Sequence, residues 1–198
     1  MIGTKEVREM MDEKYDFKKS FCEMAENERI KSEIRAYDYD TVKRYIIGEK
    51  CTSADSLFLG KNIYFIEFKT GFSNPEEGVN VKTHKENLRY KIRLKAYESL
   101  ALFEKIILPD VGDGKLYSNI KKHYVAVIDS HEKPMEAYAD ILKERSGRES
   151  SREEDKKKIF DDSLLNYRKS TKDGTKIFYD ETAVIYDYEF DAYAEKLK

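Results

Sequence analysis

Asp55, Glu67 and Lys69 are three charged residues inside a stretch that otherwise reads as two apolar strands, "ADSLFLGKNIYFIEFKTG" from 54 to 71. "GKN" at 60 to 62 is a turn signal between them. With the turn centred on Lys61, Leu59 faces Ile63, Leu57 faces Phe65 and Asp55 faces Glu67. Side chains alternate with a period of two, so Lys69 shares the face of Glu67 one pleat further on. The register decides whether the charges converge, because a slip by one residue would send one strand's charges to the other face. Directly opposed carboxylates about 5 Å apart repel by about 3 kcal/mol at an effective dielectric of 20. Burial adds desolvation to that. A lysine offsets part of the cost, and a divalent cation offsets more. Mg²⁺ commonly takes one or two carboxylates and fills its shell with water and phosphate oxygens. Held there, it acidifies a bound water and steadies charge on a phosphodiester under attack, while a lysine alongside orients the water or neutralises developing charge. A plain cross-strand ion pair between one of the acids and a lysine gives the same sequence.

The acid-x-Lys pattern is weak by itself. It also begins at Asp12, Asp16, Asp113, Glu154 and Asp155, all in helical or loop segments without a partner acid across a hairpin.

"SADSLFL" followed by "IYFIEFKTG" resembles the active-site hairpin of the PD-(D/E)xK nuclease superfamily, which has the restriction-endonuclease-like fold. The resemblance covers residues 30 to 130, with motif identity confined to the hairpin. It implies Asp55 and Glu67 as ligands of Mg²⁺, with Mn²⁺ as a substitute, and Lys69 as the catalytic lysine. Ala54 stands where the family often has proline. The Gln-x-x-x-Tyr motif of one branch is absent, since the chain has no Gln. Many members carry a further acid on the first helix or an early strand. Glu49 is nearest the hairpin and is the candidate third ligand, with Glu28 and Glu33 as helical alternatives. The resemblance implies a Mg²⁺-dependent nuclease. The alternative is a non-catalytic protein of the same fold that binds a protein partner in a defence, anti-defence or immunity role.

The elements that must position these residues follow from periodicity. Residues 4 to 47 read as mostly helical, 53 to 59 and 63 to 69 as strands, and 71 to 80 as a Gly- and Pro-containing loop. A helix over 82 to 107 carries Leu88, Ile92, Ala96, Ser99, Phe103 and Ile106 at helical spacing, and "LPDVGDGK" ends it. "HYVAVIDS" (123 to 130) is apolar enough for a strand buried on both faces. A helix near 135 to 144, a charged solvated segment over 144 to 158, a strand over 182 to 188 and a terminal helix complete the chain. The expected fold is α/β. A mixed central sheet is flanked by helices in one domain, with a restriction-endonuclease-like core at 48 to 130, a helical part before it and an extension (131 to 198) after it.

Lys82, Lys85, Arg89 and Arg93 recur at spacings of three and four along the long helix, a stripe able to track the phosphates of DNA or RNA without reading bases. A solvated helix flank gives the same pattern. Lys91 and Lys95 add charge elsewhere on that helix. The 198 residues carry a net charge of −2, so affinity for a polyanion must come from such a local patch. Two cysteines make no disulfide framework, and neither a signal peptide nor a membrane span is visible, so a reducing cytoplasm is expected. The Lys-rich composition without Trp or Gln points to an AT-rich bacterial or phage genome. His84, His123 and His131 lack zinc spacing with Cys22 or Cys51. "GDGK" is not a P-loop, and no Ser or Cys sits in a nucleophile elbow.

Overall fold

The computed structural model describes residues 1–70, 81–112, 115–129 and 178–197, with backbone alone at 81–86, 88 and 89. The loop expected at 71 to 80, the helix near 135 to 144 and the charged segment at 144 to 158 lie outside the described residues. A six-stranded mixed sheet runs in the order β1 (Lys18–Ser20), β2 (Arg35–Asp38), β3 (Ser56–Leu59), β4 (Ile63–Lys69), β5 (Lys122–Ile128) and β6 (Glu181–Tyr186). The first four strands pair antiparallel; β5 joins β4 in parallel and β6 joins β5 in parallel. A parallel partner cannot follow through a tight turn, and α4 (Val81–Leu102) stands in the β4-to-β5 connection. The span 4 to 47, expected to be mostly helical, contains α1 (Thr4–Lys14), α2 (Phe21–Ala25) and α3 (Tyr39–Ile47), and it also supplies β1 and β2. "KKS" and "RAYD" are too short and too charged to show strand periodicity; pairing with a neighbour makes them strands.

Alternation along the central strands builds two cores. Ile63 and Phe65 of β4, with Tyr124, Ala126 and Ile128 of β5, pack with Val7 and Met11 of α1, Val42 of α3 and Ile92 and Ala96 of α4. Tyr64 and Ile66, with Val125 and Val127, pack on the opposite face with Phe21 of α2 and with Phe190 and Ala194 of α6 (Asp187–Ala194). The sheet therefore has helices on both faces, and β5 is apolar from Tyr124 to Ile128 because neither face meets water there. The expected C-terminal extension includes β6 and α6, which contribute to the sheet and its second core.

The long helix does not stop at Pro109. A π turn over Phe103–Ile107, closed by Leu108 N–H to the Phe103 carbonyl, leads into α5 (Leu108–Val111). Proline has no N–H and crowds the carbonyl four residues back, and the wider turn accommodates it at the start of the new helix. The β3–β4 turn carries a glycine for want of space. A Cβ on Gly60 would lie 2.6 Å from the Leu197 carbonyl oxygen and 2.8 Å from the Phe58 ring. Among the described residues, no helix is long and apolar enough to cross a membrane.

Candidate functional site

The hairpin register is the one the turn dictates. Leu59 pairs with Ile63, Leu57 with Phe65 and Ser56 with Ile66. Continued by one residue, it sets Asp55, just before β3, opposite Glu67. Both acids face the layer of α4. Glu67 lies on the floor, its side chain only 2% exposed, while that of Asp55 is 26% exposed. Backbone bonds hold the pair in place. Phe68 N–H donates to Asp55 Oδ2 at 2.7 Å, and Tyr39 N–H donates to the Asp55 carbonyl at 3.0 Å. The latter ties the start of α3 to the acid. The neighbouring Asp38 caps that helix by accepting from Thr41 N–H.

The lysine between the acids is Lys95 of α4. Its Nζ donates to Glu67 Oε2 at 2.8 Å and to Asp55 Oδ1 at 3.2 Å. Lys69 ends β4 half-buried, and its charge helps Glu67 to ionise, less strongly than that of Lys95. In the sequence Lys95 stands outside the basic stripe of the helix, as charge elsewhere on it. The detectable signal was position: it falls three residues after Ile92 and four before Ser99, both fully buried, so it belongs to the inward arc of the helix.

The electrostatics follow from burial. Desolvation, then the neighbouring Asp55 charge, pushes the Glu67 carboxyl up to about 8, against the pull of Lys95. Burial also pushes Asp55 up, opposed by Lys95 and by the Phe68 N–H. Lys95 is itself buried, which disfavours its charge, but the two acids outweigh that and hold its ammonium above the ordinary lysine range. Burial and mutual repulsion thus both disfavour full ionisation of the pair, and the Lys95 ammonium opposes them.

Helix α4 is pinned over the sheet by hydroxyls. Tyr39 donates to the Ser99 carbonyl at 2.9 Å, Tyr179 to the Ala96 carbonyl at 2.7 Å and Tyr124 to the Ile92 carbonyl at 3.3 Å. Ser99 Oγ accepts from Ala54 N–H at 2.7 Å, one residue before Asp55. This network is part of why the chain is rich in Tyr, and it fixes where the Lys95 side chain starts. Tyr179→Phe and Tyr39→Phe are each expected to cost about 1 kcal/mol in a denaturant melt. Their double replacement should also loosen amide exchange protection around Ala96 and Ser99.

The remaining candidates are dispersed. Glu49 is 75% exposed at the end of α3 and pairs with Lys43 at 3.3 Å and Arg44 at 3.2 Å. Asp40 of α3 is an acid that the sequence reading did not single out. It accepts from Ser53 Oγ at 3.0 Å, and its charge raises Asp55. Glu28 and Glu33 fall between α2 and β2 rather than on a helix; Glu33 lies near Cys22 Sγ, at 3.6 Å, Glu28 is exposed, and neither is bonded to Asp55 or Glu67. Arg93 is exposed on α4, while Lys82, Lys85 and Arg89 are described in backbone only, within the same helix. Tyr90 and Tyr97 of α4 are 67% and 53% exposed. Among the described residues, no three His, Cys, Asp or Glu side chains group closely enough to hold a metal by themselves. The donor set at the hairpin is two carboxylates, enough for a cation that completes its shell with water and phosphate oxygens and too few for a cage of protein ligands alone.

Comparison of the chain with family models, with curated proteins and with solved structures finds no match.

Proposed function

We propose that the chain is a Mg²⁺-dependent nuclease that hydrolyses phosphodiester bonds of nucleic acid at the Asp55–Glu67 cleft, on a restriction-endonuclease-like core. The observation that carries this reading is the opposition of two acids on adjoining strands, one buried and one at the mouth, over a partly exposed lysine. The topology agrees with it: a meander of antiparallel strands ends in the Glu67 strand, followed by a helix and a parallel strand. Asp55 and Glu67 would hold the cation, which supplies an acidified water and charge neutralisation at phosphorus. Lys69, next on the same face, would orient that water or meet charge developing on the phosphoryl oxygens. Asp55 keeps its orientation through the Phe68 N–H, and the buried Glu67 keeps bulk water away from one side of the site.

The test is incubation of the purified protein with single- and double-stranded DNA and RNA in Mg²⁺, Mn²⁺ or EDTA. Cleavage that needs the divalent cation and is lost in EDTA is expected. A protein that leaves every substrate intact in both metals is not this nuclease.

The α4 basic residues would track the phosphates. Replacing Lys85, Arg89 and Arg93 together with Ala should weaken binding and lower the salt slope by roughly one counterion per lost contact. An unchanged slope assigns the stripe to a solvated helix face.

One observation favours a second reading. Lys95 satisfies both acids without any metal, as it would in a non-catalytic protein of the same fold that binds a protein partner. That reading predicts no cleavage and no stabilisation by Mg²⁺.

A further inference from the structure

Lys95 reaches the acids from a different layer, and its ammonium lies within 3.2 Å of Asp55 Oδ1 and 2.8 Å of Glu67 Oε2. We propose that Lys95 is a tethered competitor for the cation: its ammonium holds the space between Asp55 and Glu67, and a divalent ion gains the two carboxylates only by displacing it. This inference rests on the cation-site reading above. Its basis is steric and electrostatic. A cation bridging the same two oxygens needs the space that the ammonium fills, and two positive centres cannot share it. The competitor is covalently attached, so its effective concentration at the site is high. A monovalent ion brings the same charge without the N–H donors and has nothing with which to win. A divalent ion brings twice the charge. Lys95 thereby makes the site selective for divalent ions and sets a concentration threshold for loading.

What moves is also defined. The backbone of α4 is held at Ile92, Ala96 and Ser99 by the hydroxyls of Tyr124, Tyr179 and Tyr39. The displacement is therefore confined to the Lys95 side chain, which is 27% exposed and carries its ammonium on a flexible four-carbon stem.

The experiment compares the full-length wild type with Lys95→Met, which keeps a stem of similar length and removes the charge. Melting temperature is followed against Mg²⁺ and, separately, against K⁺. In parallel, wild-type Lys95 is assayed for amine labelling with and without Mg²⁺, with Lys91, exposed on the same helix, as the internal control. Lys95→Met is expected to bind Mg²⁺ about tenfold more tightly or better and to gain a K⁺ response that the wild type lacks. Labelling of wild-type Lys95 should rise when Mg²⁺ is added while that of Lys91 stays level. Mg²⁺ stabilising both proteins equally, with Lys95 labelling unchanged, would overturn the competition and leave the cation site standing. Mg²⁺ stabilising neither protein would overturn the cation site and the competition with it. If Lys95→Met does not fold, the labelling of the wild type decides.

Discussion

Glu67→Gln is expected to make the protein more stable at pH 8 and to leave it about level at pH 5. The reasoning starts from burial. Glu67 is 1% exposed with Asp55 beside it, and its carboxyl titrates at about 8 rather than 4.5. The folded state therefore holds a proton that the unfolded chain gives up between those two values. The stability this contributes is complete below about pH 4.5 and is lost as pH rises through about 8. Glutamine has the shape of the protonated acid and does not ionise. The mutant should escape the alkaline loss, a difference of a few kcal/mol at about 1.4 kcal/mol per pH unit. Melts across pH 4 to 9 should show a sloping wild type and a flatter mutant. A mutant less stable than the wild type at pH 8 would mean that the Lys95–Glu67 ion pair outweighs burial. The same mutant should lose most of any Mg²⁺ stabilisation, because half of the donor set has gone.

Asp55→Ala is expected to act in the opposite sense. Asp55 is the better solvated acid, with an N–H donor from Phe68 and an ammonium from Lys95. Truncation leaves the Phe68 N–H without its acceptor and Lys95 with Glu67 alone, in a mostly buried setting, and should cost about 3 kcal/mol in an apo melt. Asp55→Asn keeps an acceptor oxygen for Phe68 and should recover part of that loss. The two acids, equal partners on paper, thus diverge in stability while both are needed for the cation. Equal effects of Glu67→Gln and Asp55→Ala on the apo protein would contradict this division of labour.

The hairpin was legible because two constraints agreed. The "GKN" turn set the register, and Leu57, Leu59, Ile63 and Phe65 had to share a face, which left Asp55 opposite Glu67. Strand β5 was legible because the unbroken apolar run from Tyr124 to Ile128 leaves no room for a polar face. What escaped had contrary local signals. Strands β1 and β2 are charged and three and four residues long, so only their mutual pairing reveals them. Pro109 marked a helix end, yet the π turn before it carries the chain into a further helical turn. Lys95 escaped because a lysine is assigned to the surface by type, although its spacing from Ile92 and Ser99 set it on the inward arc. Its ammonium is the largest positive influence on both acids.

The most direct measurement is anomalous diffraction from crystals grown with Mn²⁺ in place of Mg²⁺. The account predicts a manganese peak bridging a carboxylate oxygen of Asp55 and one of Glu67, with Lys95 Nζ displaced from both. The absence of manganese from the Asp55–Glu67 cleft at millimolar Mn²⁺, with Lys95 still bonded to both acids, would contradict it.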